Sequence, residues 1–441
     1  MSEVASERLN YLSKKQRAVS SRASRHIIPC SNGVTFTAGQ TARIDLAGNQ
    51  MATYWDASNT YLKFRVTNSD SAPILVESGY SLIDSLEVLC DGQVVSSIRE
   101  YGACVHAFLD SEVGGGWKDN VGRALAGTSF DYDELEKIAN GSSRVFCLPL
   151  PLQPFFNSSR YIPMMGRSTI SFRITWASAA KGTVGSASDA EITINPCELV
   201  VSYIRLSAEA NAMVIANTQG RFELICSDVR TATGNVVSGD SSLNLNCGFS
   251  FSSLDRIIFG FYPTLNSAAT VSVGNRASCD LQNFALSVNG EEYPRKRIEV
   301  SASNVAEPIA EIMIGHRSLA DFDHQSSLNP FQVTTGSSTS LPSYAARYYV
   351  SNPTGAVTTP GTGGDFEGNR GVFLASIDTE SMKPHADPDA LYSGLSTLGS
   401  VVQLVGDIAT APGNMTALVF AQYTLALTLD LNGSQTWVVS I

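Results

Sequence analysis

Along most of this chain, hydrophobic and polar residues alternate with a period of two, and the runs are broken by turn residues. That pattern predicts strands, because successive side chains of an extended chain point to opposite faces. TYLKFRVTN at 60–68, SLIDSLEVL at 81–89, STISFRITW at 168–176 and AEITINPCELVVSYIRL at 190–206 show it clearly. LDRIIFGFY at 254–262, QNFALSVNG at 282–290 and YTLALTLDLNG at 423–433 continue it in the second half. These runs are rich in Val, Ile, Phe, Tyr and Thr, the residues that suit a pleated, half-buried surface. Asp91-Gly92, Asn289-Gly290 and Asn432-Gly433 mark tight hairpins, since Asx-Gly pairs readily take the positive φ angles of primed turns. Helical patterns are few: residues 129–139, with acidic residues early where the helix dipole favours them, residues 100–110, and little else. The pattern predicts an all-β fold with short helical decorations.

Two stretches share one shape. DSLEVLCDGQVVSSIR (84–99) and QNFALSVNGEEYPRKR (282–297) each run from an alternating strand through an Asx-Gly turn to a polar strand with a terminal arginine. Their turns lie 198 residues apart. That offset is too long for a solenoid repeat and suits a duplicated sandwich domain. The expected organisation is a basic N-terminal arm over 1–26, a first eight-stranded roll over 27–210 and a second over 211–441. Residues 207–218, small and polar, form the expected junction. An irregular insert at 325–370 interrupts the second half; 24 of its 46 residues are Gly, Ser, Thr or Pro. A loop of that length inside a compact domain is usually functional, and it is expected to stand out as a surface tower or interface arm.

Composition adjusts this picture. Only 16% of the 441 residues are charged, against about a quarter in ordinary domains, which suits a surface partly covered by neighbours. The net charge is −11, yet residues 1–30 carry six basic side chains against two acidic ones. The body is thus too acidic for a general nucleic-acid binder, and the leader too sparse to neutralise a packaged genome. The eight cysteines include no C-x-x-C pair and sit mostly in apolar strand contexts, where Cys behaves as a small hydrophobe. They point to reduced folding conditions inside a cell. The polar start MSEVASERLN lacks the apolar core of a signal peptide, and no run approaches the roughly 18 apolar residues of a membrane span.

The chemistry-bearing motifs are missing. There is no phosphate loop, dinucleotide fingerprint, H-E-x-x-H or G-x-S-x-G. SGLSTLG at 393–399 has the wrong glycine spacing for a nucleophile elbow. Asp321, Asp323 and His324 form a metal-like cluster, but calcium takes six or more oxygens, and a solvated turn accounts for them. Asp378, Glu380, Asp387 and Asp389 are read as part of a turn shaped by Pro384 and Pro388. Arg295-Lys296-Arg297 is read as an exposed strand end paired with acidic neighbours rather than a nucleic-acid contact. The expectation is no catalytic residue, no metal and no cofactor.

Taken in order, IIPCSNGVTFTAGQTARIDL (27–46), YWDASNTYLKFRVTN (54–68), SLIDSLEVLCDGQVVSSIREYG (81–102) and LPLPLQPFFNSSRYIPMMGRSTISFRITW (148–176) resemble the double jelly-roll major capsid proteins of tailless icosahedral DNA viruses, of the virophage and polinton-like type. VFLASIDTESMKPHADPDALYSGLSTLGSVVQLV (372–405) and FAQYTLALTLDLNGSQTWVV (420–439) are similar to that family's terminal strands. The resemblance implies two tandem eight-stranded jelly-roll β-sandwiches per chain and a homotrimeric, pseudo-hexameric capsomer that tiles an icosahedral shell around a DNA genome. It implies a structural protein of the virion, assembled inside the host cell, and not an enzyme. Its partners would be copies of itself, penton and minor capsid proteins, with no small-molecule substrate. Lys14, Lys15, Arg17, Arg22 and Arg25 would form an interior-facing basic arm in weak contact with genome or an internal membrane.

Three other readings compete. A two-domain carbohydrate-binding module of the lectin or adhesin type would use acidic, aromatic-containing loops, but the signal peptide and paired cysteines are missing. A small RNA-virus capsid protein would carry a denser arginine-rich arm. A glycoside hydrolase needs two carboxylates facing across a cleft, and no pair among the 41 acidic residues is singled out.

Overall fold

The computed structural model describes residues 21–129, 135–158, 160–185, 187–263, 273–316, 326–328, 348–349, 371–381 and 393–440. In chain order the first half contributes strands β1 (Ser21–Pro29), β2 (Phe36–Thr37), β3 (Thr41–Leu46), β4 (Thr53–Asn68), β5 (Ile74–Val76), β6 (Ile83–Cys90) and β7 (Gln93–Arg99). Helices α1 (Tyr101–Glu112), α2 (Gly115–Trp117) and α3 (Arg123–Ala126) follow. Then come β8 (Glu136–Ile138), β9 (Ser143–Leu148), β10 (Ile162–Pro163), β11 (Ile170–Trp176), α4 (Ala179–Gly182) and β12 (Ile192–Leu206). Helix α5 (Ala208–Thr218) leads to β13 (Arg221–Val236), β14 (Ser242–Asn246), β15 (Leu254–Pro263), β16 (Leu281–Val288), β17 (Glu291–Glu299) and α6 (Ala306–His316). The chain closes with β18 (Ala375–Asp378), β19 (Val402–Ile408), β20 (Met415–Asp430) and β21 (Trp437–Ser440).

Sixteen of these strands build the same object twice. In the first half β1, β12, β4 and β9 lie side by side and face the sheet β3-β11-β6-β7. In the second half β13-β20-β15-β18 faces β14-β19-β16-β17. In each roll the last strand slots between the first and third, and the seventh between the second and fourth, which is jelly-roll topology. All the pairings are antiparallel. The repeat read from the sequence is real in space, because β6–β7 and β16–β17 hold the same position in their sheets.

Alternation explains the layers. On β11, Phe172 and Ile174 are buried, opposite Ile44 and Val88 and opposite Ala42 and Leu86. Arg173 between them turns outward and meets Glu87 at 2.8 Å. Trp55, Phe155, Phe156 and Phe172 pack edge-on or tilted in the first core, and the indole N–H of Trp55 donates to Thr60 Oγ1 at 2.8 Å. Phe155 also stacks edge-on against Trp437 of the second half at 5.5 Å, so the two cores run into one another.

The Asp91-Gly92 and Asn289-Gly290 turns have positive φ at both residues, 51° and 83°, then 53° and 87°. Asn432-Gly433 differs: the positive φ falls on Gln435, within a wider turn. The helix expected over 129–139 is corrected at its end, where Glu136–Ile138 pairs with Ile74–Val76 as a ribbon; residues 130–134 lie outside the described residues. The helix expected over 100–110 is α1. Residues 207–218 form helix α5, capped by Ser207, whose hydroxyl accepts from the Ala210 N–H. The expected limits at 26/27 and 210/211 fall inside β1 and inside α5.

Candidate functional site at the turn end and the seam

Each roll has a turn end, with its Asx-Gly hairpin, and a helix end, where α1 or α6 follows the hairpin's second strand. The two rolls point the same way. Arg167 N donates to Gln435 O at 2.8 Å, and Trp437 N donates to Ser168 Oγ at 3.0 Å. The seam between the rolls runs from these contacts to the helix end.

Charged and polar groups fill that seam. Asp110, at the buried end of α1, lies between Lys118 and Arg276 and pairs with both. Arg276 is fully buried on the second-half side and also donates to Phe373 O at 3.1 Å. Burial alone would raise the Asp110 carboxyl, yet Lys118 and Arg276 together hold it far below the usual range. Two residues on, Glu112 pairs with Arg256, which lies over the Phe108 ring at 5.1 Å. Burial opposes that charge too, but Arg256 and His316 bring the Glu112 carboxyl down to about 2. Asp228 on β13 accepts from Ser96 Oγ of β7 at 2.7 Å and from the Tyr423 hydroxyl at 2.6 Å. It has no cation of that strength beside it, so burial pushes it up to about 6. Glu77 accepts from Gly274 N at 2.8 Å. A Cβ on residue 274 would stand 2.1 Å from that carboxylate, which is why a glycine sits there.

The turn end carries the described part of the basic arm. Arg22 and Arg25 lie on β1, whose nine residues pair with β12 from Ser21↔Leu206 to Pro29↔Glu198. Residues 21–27 are exposed. Being three positions apart on a strand, the two arginines point to opposite faces. Arg22 stands directly opposite Arg205. Lys14, Lys15 and Arg17 lie outside the described residues. Beside Ser21 is an apolar groove of about 750 Å³ between α5, β12 and β13.

The other sequence candidates do not converge. Arg297 meets Glu292 at 2.7 Å and Asp407 at 3.3 Å, and Lys296 meets Glu299 at 3.3 Å, the acidic pairing expected of a strand end. Within 393–399, Leu395 bridges to Leu254 and Thr397 Oγ1 accepts from Phe251 N at 2.8 Å, so this stretch closes a sandwich. Asp321, Asp323 and His324 lie outside the described residues, as do Asp387 and Asp389. Glu380 accepts from Ser393 Oγ at 3.1 Å. Of the insert, only 326–328 and 348–349 are described. Ser326 Oγ donates to Asp110 O at 2.8 Å and Tyr348 to Leu374 O at 2.6 Å.

Sequence reasoning missed the seam. From Ser96 with Asp228 to Ser168 with Trp437, its pairs across the rolls are 132 to 269 residues apart, and no local motif announces them. The only signal was α1 itself, EYGACVHAFLD, a helix with too few polar positions to have a wet face.

The whole two-roll unit has counterparts. A protein of the PBCV-1 virus capsid superposes with a TM-score of 0.61 at 13% identity, over 97% of this chain and 98% of its own. The fold is the double jelly roll. Double jelly-roll chains of the Sputnik virophage and of mavirus, the latter a major capsid protein, align as well. Their TM-scores are 0.57 and 0.50 at 11% and 10% identity, covering 99% of this chain and 92% and 95% of theirs. No protein-family model and no curated protein sequence matches the chain.

Proposed function

We propose that this chain is a viral major capsid protein, a structural subunit of the virion and not an enzyme. The observation that carries this is the pairing of two jelly rolls in one chain, matched end to end by a PBCV-1 capsid protein. A shell subunit has to hold its two rolls at a fixed angle, because three such subunits approximate a hexagon only if the angle is constant. The seam supplies that rigidity. Buried ion pairs are poor sources of net stability but are costly to break singly, so they resist any hinge that would part Asp110 from Arg276 or Glu112 from Arg256. The mechanism is geometric: three chains give six rolls, a pseudo-hexameric capsomer, and capsomers tile flat facets around a DNA genome.

Copies of the chain would be its main partners, with penton and minor capsid proteins sealing the vertices, and assembly would take place inside the host cell. Lys14, Lys15, Arg17, Arg22 and Arg25 would face the interior, near genome or membrane phosphates. The low charge, 16% of residues, supports flanks covered by copies of the chain, because interface cores are depleted in charged residues. Negative-stain imaging of the purified protein tests the reading. Hexagonal capsomers or closed shells are the expected outcome. Single two-lobed particles at every concentration and salt would contradict it.

A further inference from the structure

All eight cysteines are free thiols, six of them buried and two, Cys30 and Cys147, half-buried. Cys147 lies on β9 opposite Lys63. Cys30 differs, because another cysteine lies across from it. β1 pairs with β12 from Ser21↔Leu206 to Pro29↔Glu198, and the same register carried one residue further sets Cys30 opposite Cys197. The Cys30 thiol already donates to Cys197 O at 3.2 Å. Among the described residues no other cysteine has a cysteine opposite it in a strand pairing.

Directly opposed residues of an antiparallel pair share a face, with Cα atoms about 4.5 or 5.5 Å apart. A disulfide spans Cα separations of about 4.4–6.8 Å, so the two thiols can join without a large backbone shift. The faces agree: Cys197 is buried in line with Leu199 and Val201, and Ile28 and Cys30 pack against the same core. The Cys30 side chain beside it, and then burial, raise the Cys197 thiol above its usual range. Beyond the pair the chain is anchored to β3, where Ser31 N donates to Arg43 O at 2.7 Å and Asn32 Nδ2 to Thr41 O at 2.8 Å.

We infer that Cys30 and Cys197 form a redox site, which a small-molecule disulfide such as oxidised glutathione converts into a cross-strand disulfide stapling β1 to β12. Half-buried Cys30, as its thiolate, attacks one sulfur of the small disulfide and displaces one thiol. Cys197 gives up its proton and attacks the Cys30 sulfur of the mixed disulfide, displacing the second thiol. Two protein thiols are oxidised and one small disulfide is reduced. The two protons end on the two released thiols.

The staple acts on an edge. Residues 21–27 of β1 are exposed, and among the described residues only β12 pairs with this strand. Reducing compartments keep such a pair open and oxidising ones close it, so β1 becomes pinned once the protein leaves a reducing environment. The link needs no second chain, and it stands or falls apart from the capsid reading.

The test is incubation of the full chain with oxidised glutathione, followed by blocking of the remaining thiols, tryptic digestion and mass spectrometry without reduction. Tryptic peptides 26–43 and 182–205, which hold Cys30 and Cys197, are expected to appear joined in most molecules. Trypsin cuts the folded chain after Arg25 only when β1 opens, so oxidation is expected to slow that cut about tenfold. Cys30→Ser is expected to abolish both the joined peptides and the slowing. A glutathione adduct that stays on Cys30, or two thiols still free after incubation, overturns the inference. So do joining of Cys30 to any other cysteine, equal cutting rates before and after oxidation, and equal slowing in Cys30→Ser.

Discussion

Asp110 and Asp228 are both buried carboxyls at the seam, and their surroundings drive them in opposite directions. Asp110 has two cations; replacing it by alanine strands Lys118 and Arg276 in the interior. An uncompensated buried charge typically costs about 3–5 kcal/mol, so Asp110→Ala is expected to lower the denaturation free energy by that order, measured by urea titration. Asp228 has hydroxyl donors, and its carboxyl lies at about 6 in the fold against roughly 3.9 when exposed. Between those pH values the folded chain holds a proton that the unfolded chain has lost. Its contribution to stability therefore falls as pH rises from about 4 to 6 and stays low above that. Asp255, which burial pushes up to about 7, acts in the same direction. Glu112 does the reverse: held at about 2, it stabilises the fold above the usual carboxylate range and loses that contribution as pH falls towards 2. In melting curves from pH 4 to 8, Asp228→Asn should lack the Asp228 part of the decline. The wild type is expected to lose on the order of 2 kcal/mol relative to it by pH 8. Parallel profiles would show that Asp228 stays ionised in the fold. On β11, Ile174→Lys buries an unpaired charge among Ala42 and Leu86 and should abolish the folded circular-dichroism signal at ambient temperature.

At the scale of elements, what could be read from the sequence was what local chemistry decides. The strands followed from alternation, and the two tight hairpins from Asx-Gly pairs whose φ angles are indeed positive. What misled were places where a distant partner decides. Glu136–Ile138 reads as the tail of an acidic helix, but Ile74–Val76 offers it backbone hydrogen bonds, and strand pairing wins. The junction 207–218 reads as a small, polar boundary, yet Ser207 caps it and AEANAMVIAN contains good helix formers, so it coils into α5. The basic arm reads as running to residue 26, whereas the described pairing with β12 starts at Ser21. Among the described residues β1 is an edge strand with no pairing partner on its outer side, the arrangement that invites stray pairing unless charges guard it. Arg22 and Arg25 are those guards, one on each face. Arg22→Val together with Arg25→Val is expected to raise the aggregate fraction in size-exclusion chromatography while leaving the melting temperature of the soluble remainder close to wild type. An unchanged elution profile would remove the guarding role.

At the scale of the whole molecule, the sequence already carried the duplication, because hairpins 198 residues apart occupy equivalent places in two sheets. It carried nothing of how the rolls are joined. The seam brings α1 of the first roll against β15 and α6 of the second, and Asp228 against Ser96, through residues whose local contexts look like ordinary strand and helix. A seam of this kind makes the rolls unfold as one unit, so calorimetry of the wild type is expected to give a single transition, and Asp110→Ala with Glu112→Ala to give two. The central claim is that this rigid pair of rolls is one third of a capsomer. Its most direct test is the solution mass of the purified protein by multi-angle light scattering. A stable species of three times the 47.1 kDa chain mass is the predicted result. A monomer that persists across protein concentration, salt and pH would contradict the account.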